Sequence, residues 1–134
     1  MTGLVLKLTP RERILVNGAV LENGDRRSKL SILTPNANIL RLKDAIRPED
    51  AKTPVRRVCY IAQLVLSGDV AQDEAGQQLS VGIAQLGQVF SDAESQQSLS
   101  VATSALSDGD FYRVLKNIRS LLPQEDLLIE EAAQ

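Results

Sequence analysis

Along residues 4–47 the apolar positions come in short runs that turn residues interrupt every few steps. Leu4-Val5-Leu6-Lys7-Leu8 stops at Thr9-Pro10, Arg13-Ile14-Leu15-Val16 runs into Asn17-Gly18, and Ala19-Val20-Leu21 runs into Asn23-Gly24-Asp25. Ser28-Lys29-Leu30-Ser31-Ile32-Leu33 stops at Thr34-Pro35-Asn36, and Asn38-Ile39-Leu40-Arg41-Leu42-Lys43 alternates apolar with polar side chains. Asn and Gly tolerate the positive φ of tight hairpins, so the segment reads as a small antiparallel meander, closing toward a barrel-like sheet. The two-residue period sets Lys29 and Ser31 opposite Leu30 and Ile32, and Arg41 and Lys43 opposite Leu40 and Leu42. A basic face over an apolar face follows.

From Pro48 the spacing lengthens to that of a helix. Pro48-Glu49-Asp50 and Thr53-Pro54 are two helix starts, and the helix from the second is apolar on most faces until Ser67-Gly68. Leu79, Ile83, Leu86 and Phe90 form the stripe of a second helix; Ser91-Asp92-Ala93-Glu94 has the spacing of a capping box and opens a third. Phe111, Val114, Leu115, Ile118, Leu121 and Leu122 describe a fourth, closed by Pro123. The expected architecture is α+β: a basic β lobe over 1–47, a helical lobe of about four helices over 48–123, and a flexible acidic tail over 124–134. Within that tail Leu127-Leu128-Ile129 is positioned to pack or to bind. Gly82 and Gly87 break the second stripe, either for close helix packing or because that helix orders only against a partner.

Charge changes the picture. The 134 residues carry a net −2, yet residues 1–57 hold twelve Lys/Arg and six Asp/Glu, whereas 58–134 hold three and eleven, giving +6 and −8. Such a split points to a polyanion partner for the first half and a different role for the second. It also admits an internal mask, in which the acidic half folds over the basic one.

Composition removes most chemistry. With no histidine, no Ser-His or Cys-His pair can be built. The single cysteine, Cys59, sits in an apolar run, which rules out a disulfide or a thiolate metal site within the chain and reads as a buried thiol. Asp73-Glu74 and Asp108 with Asp110 fall at helix starts, where capping explains them, and no glycine-rich phosphate loop follows a strand. Neither catalysis nor a cofactor is expected. No basic leader precedes an apolar stretch, and no run approaches the roughly 18–20 residues of a membrane span, so a soluble cytoplasmic protein is expected.

The chemistry that survives is anion binding. Asn17-Gly18 and Asn23-Gly24 mark turns, and the second places Arg26 and Arg27 where guanidinium groups can splay toward phosphate. Arg11, Arg13, Lys29, Arg41 and Lys43 come from the same sheet, and Arg56 and Arg57 stand at a helix start whose dipole also favours phosphate. Tyr60 is the only aromatic residue before Phe90, which excludes a sheet that stacks bases on aromatic rings.

Residues 4–66 resemble a known family. Ile14-Leu15-Val16-Asn17-Gly18-Ala19-Val20, Glu22-Asn23-Gly24-Asp25-Arg26-Arg27, Ile39-Leu40-Arg41, Lys43-Asp44, Pro48-Glu49 and Thr53-Pro54-Val55-Arg56-Arg57 are similar to the FlbT family of flagellin-expression regulators. The resemblance implies a bacterial cytoplasmic protein that associates with the 5′ untranslated region of flagellin messenger RNA, represses it after transcription and promotes its decay. Some members are credited with activation instead. It also implies FlaF and flagellin as neighbours, hence an alternative: an adaptor or chaperone-like protein that reaches the messenger indirectly. A homo-oligomer stays open. The layout of Ser28 to Ile46 is also similar to the CsrA type of messenger-binding β-protein, an analogy that singles out Arg41 and Lys43.

Overall fold

The computed structural model describes residues 3–133. Five strands come first: β1 (Leu4–Leu8), β2 (Arg13–Val16), β3 (Ala19–Glu22), β4 (Ser28–Ile32) and β5 (Ile39–Arg41). Single 3-10 turns at Leu42–Asp44 and Pro48–Asp50 lead to α1 (Pro54–Leu66), α2 (Gln72–Val89), α3 (Ala93–Ser107), α4 (Phe111–Arg119) and α5 (Leu122–Ala132). The α+β class is therefore as expected, with α1 to α4 packed as a bundle and α5 laid across the start of α1.

All strand pairs are antiparallel, but their spatial order is not that of the chain. β1 pairs with β4 in one sheet, and β3, β2 and β5 lie in that order in the other. Only β2 and β3 form a tight hairpin, where Asn17 and Gly18 both have positive φ, 48° and 88°, as a type I′ turn requires. Asn23-Gly24, expected to turn a hairpin into β4, instead carries the chain from one sheet to the other. The Asn23 amide holds that crossing, donating to the carbonyls of Thr9 (2.7 Å) and Arg26 (2.9 Å) while its oxygen accepts from the Ser28 hydroxyl (2.7 Å). Side-chain parity explains why β4 goes to β1. The register Leu4↔Ile32, Leu6↔Leu30 unites two apolar faces that a β3 to β4 hairpin would leave apart.

The two sheets stack. Leu6, Leu8, Ile14 and Ile39 are buried between them, with Leu4, Val16, Leu30 and Ile32 at the margin. The alternate side chains of β2 and β5, Leu15 and Leu40, turn toward the helices and join a larger core running from Val55 to Leu121. Thus the middle of the fold is a sheet covered on both faces. The expected Leu40 and Leu42 face ends early, because Leu42 begins a 3-10 turn and is exposed.

Thr53 caps α1, its hydroxyl accepting the Arg56 N–H at 3.3 Å, and Gly68 beyond the helix adopts φ 85°. Asp92, rather than Ser91, caps α3, accepting from the Ser95 N–H at 3.0 Å. The largest departure lies past Arg119. Pro123 does not close α4; it stands in the first turn of α5, where a missing N–H costs nothing. Residues read as an acidic tail thus form a helix, and Glu125 within it is buried. Its carboxylate accepts the Val55 N–H (2.8 Å), the Thr53 hydroxyl (2.5 Å) and the Arg56 guanidinium (3.2 Å), supplying a second cap to α1. Leu127, Leu128 and Ile129 stay exposed on the same helix.

Of the two glycines that break the apolar stripe of α2, Gly82 answers to packing: a Cβ there would meet Cγ2 of Val58 in α1 at 2.8 Å. Gly87 is not crowded in this way, its nearest neighbours standing 4.0 Å off. Two alanine substitutions separate packing from propensity. Gly76→Ala, where a Cβ meets nothing within 4 Å, is expected to stabilise the chain by about 0.5–1 kcal/mol. Gly82→Ala gains the same propensity but is expected to destabilise, because buried Val58 must move. Urea midpoints at constant m-value read both effects, and stabilisation by both substitutions would contradict the close approach of α1 and α2.

Candidate nucleic-acid interface

The structure sorts the nine candidate cations by whether folding already uses them. Arg41 is the most committed. It leaves β5 beside Glu12, which the turn after β1 brings underneath; Thr9 donates its N–H to Glu12 at 3.1 Å. The Arg41 Nε and Nη2 reach the two carboxylate oxygens at 2.6 and 2.7 Å, and Nη2 also donates to the Lys7 carbonyl at 2.6 Å. The Glu12 side chain is 2% exposed and that of Arg41 17%. Hydrogen bonding from Arg41, opposed by burial and helped by the Thr9 N–H, holds the Glu12 carboxyl down at about 2.

Most of the others are partnered as well. Arg11 pairs with Asp25 (2.5 Å) and Glu22 (3.5 Å), and Arg13 with Glu22 (2.9 Å). These pairs are exposed, so they fix side-chain positions more than they stabilise. Arg56 bridges Glu125 (3.2 Å) and Asp126 (3.0 Å), and Arg57 donates to the Lys52 carbonyl (3.0 Å). The helix start that was expected to favour phosphate at these two arginines is therefore occupied by the chain's own Glu125. Lys43 stands 3.9 Å from Glu12 with half of its side chain exposed. The turn residues are structural: Asn17 accepts the Asn38 N–H at 2.9 Å, and the Gly24 carbonyl accepts from the Arg11 N–H at 2.9 Å.

What remains is a cluster on one surface. Among the described residues the side chains of Arg26, Arg27 and Lys29 enter no ion pair or hydrogen bond and are exposed. To them the structure adds Lys7, exposed and equally unpaired, which lies directly across from Lys29 in the β1 and β4 register. Lys7, Thr9, Arg27, Ser28 and Lys29 line a shallow groove of about 660 Å³. Like charges facing each other across two strands oppose folding by a few tenths of a kcal/mol, and no acid among the described residues pairs with either lysine. Lys7 was not evident from sequence because its importance depends on which strand β1 pairs with. The parity of Leu4-Val5-Leu6-Lys7-Leu8 places it on the outer face, and only the crossover puts Lys29 opposite.

No other chemistry gathers. Among the described residues no three His, Cys, Asp or Glu side chains are placed to hold a metal. Cys59 is fully buried, and burial pushes its thiol up to about 12, so it is inert at neutral pH. Among the described residues no helix is long and apolar enough to cross a membrane.

Fold and site together define a small α+β protein that presents, among the described residues, a cationic sheet face without counter-charge. The flagellar protein FlbT family model matches residues 4–129, and the chain belongs to that family. The probable flagellum biosynthesis repressor proteins FlbT of Brucella abortus (strain S19) and Brucella ovis are each 32% identical to it over 124 residues, 92% of this chain and 80% of theirs. The protein of the same name from Brucella anthropi is 32% identical over 120 residues, 90% of this chain and 78% of its own. No solved structure matches. Membership places the chain among regulators of flagellum biosynthesis, which is not a family of enzymes.

The Glu12 and Arg41 pair makes stability depend on acid. A carboxyl lowered from 4.5 to about 2 on folding contributes fully above about pH 4.5, and the contribution is lost as pH falls toward 2. That displacement corresponds to about 3 kcal/mol. Glu12→Gln is expected to lower stability at neutral pH by about 3–5 kcal/mol, since it strands a largely buried guanidinium, and to flatten the acid limb. Urea unfolding of both proteins at neutral pH and near about pH 3 measures it; parallel losses in the two would remove Glu12 as the cause.

Proposed function

We propose that this chain regulates flagellum biosynthesis by binding the 5′ untranslated region of flagellin messenger RNA on the outer face of β1 and β4, repressing the messenger after transcription and favouring its decay. The observation that carries the reading is the unpaired Lys7 and Lys29 couple with Arg26 and Arg27 beside it. Folding gains nothing from juxtaposing these charges, whereas a phosphodiester backbone would neutralise them and release counterions. Lysine and arginine without aromatic neighbours recognise the phosphate backbone, so a leader strand held by its phosphates suits this face better than one read through splayed, stacked bases. The repressor names borne by the Brucella relatives accord with a protein that covers a leader and keeps ribosomes from it.

One observation favours the adaptor reading. Val81 and Val89 are exposed on α2, in a groove of about 660 Å³ between α1 and α2 that Pro54 and Ile61 also line. Flagellin or FlaF would be captured there through an apolar helix face. Titration of the full chain against a flagellin leader and a scrambled RNA of equal length, at two salt concentrations, decides between the two. Direct binding is expected to select the leader, and Lys7→Gln with Lys29→Gln to make log K against log salt shallower by about 1.4, roughly 0.7 for each phosphate contact on a single strand. Unchanged affinity and slope in that variant would reject the sheet face and leave the groove as the functional surface.

A further inference from the structure

The acidic half contains three cations, Arg113, Lys116 and Arg119, and all of them lie on α4. That placement is not scattered surface charge, because α4 is the helix that meets the sheets: its Tyr112 packs against the cores of both parts. Between α4, β1 and the 3-10 turn after β5 runs a cleft of about 460 Å³, lined among others by Lys7, Lys43, Tyr112 and Lys116. The acids near these cations are already used. Glu12 holds Arg41, and Asp44, which lines the cleft, holds Arg119 at 3.3 Å. Lys7 and Lys116 enter no ion pair among the described residues, and Lys43 reaches Glu12 only at 3.9 Å. Three lysines from three separate elements therefore line one depression whose nearby acids, Glu12 and Asp44, already hold arginines.

Lys7 belongs to this cleft and also to the groove that contains Arg27 and Lys29. The two depressions meet at that residue. We infer that the cleft is a second phosphate-binding station, so that single-stranded RNA leaves the β1 and β4 face at Lys7 and crosses onto α4, with Lys43 and Lys116 each holding a phosphate. The inference rests on the RNA-binding reading above and adds the helical, nominally acidic half to the RNA path. Lysine suits this use: a point charge on a flexible stem follows a backbone of variable course better than a rigid guanidinium fork.

The test is the salt dependence of leader RNA binding to the full chain carrying Lys43→Gln, Lys116→Gln, or both, with Lys52→Gln as an exposed lysine that lines neither depression. Each single variant is expected to shallow the log K against log salt slope by about 0.7 and the double variant by about 1.4, while Lys52→Gln leaves it unchanged. Thermal unfolding checks that the variants are folded; either single variant suffices if the double one is not. A double variant that binds like the wild type, while Lys7→Gln with Lys29→Gln is impaired, overturns the cleft and leaves the sheet-face reading standing. Equal shallowing by Lys52→Gln overturns it too, by reducing the effect to net charge. If the wild type binds no RNA at either salt concentration, the sheet-face reading falls and the cleft with it.

Discussion

A buried carboxylate under a strand end holds the sheet part of this chain together. Glu12 ties the turn after β1 to Arg41 at the end of β5, and Arg41 in turn grips the carbonyl of Lys7, so one ion pair fastens elements of both sheets. Neither partner could be buried alone, because an isolated charge in an apolar setting costs several kcal/mol. The pair also settles which cations stay available. Arg41, attractive from sequence, is turned inward as a structural bolt, and the charges left at the surface are those that folding does not use.

The halves that differ so sharply in composition are less separate in space. Arg56 of the basic half is held by Glu125 and Asp126, and Asp44 of the same half holds Arg119 of the acidic one. These exchanges join the parts without hiding the β1 and β4 face, since Arg26, Arg27 and Lys29 remain exposed. An intramolecular mask over that face is therefore absent from this arrangement. The acidic surplus is spent on capping helices and facing solvent, while the few cations on α4 line the seam with the sheets.

Much of this was legible beforehand and some was not, for identifiable reasons. Strand and helix positions followed from local periodicity, because alternation and the four, three, four spacing of Leu79, Ile83, Leu86 and Phe90 are short-range signals. The Asn17-Gly18 hairpin followed from backbone chemistry. The pairing of β1 with β4 did not, since the same Asn-Gly signal at residues 23–24 serves a crossover, and a dipeptide carries no information about the partner strand. The fates of individual cations were illegible for the same reason. Arg41 and Lys29 look alike in sequence, and only tertiary contact places a buried acid beside one and a lysine across from the other. Pro123 misled because proline stops one helix and starts another equally well; what distinguished the cases was Glu125 two residues on, whose hydrogen-bond donors lie at residues 53–56.

That long-range cap has a consequence for the order of events during synthesis. Seventy positions separate Val55 from the carboxylate that receives its N–H, so the first turn of α1 lacks this partner while α2, α3 and α4 are being made. The central helix of the bundle is thus completed from its far end: its buried face can dock as soon as neighbours appear, but its opening turn locks only after α5 has left the ribosome. Until then Thr53 alone holds the frayed start, and the chain emerging between them stays open to revision.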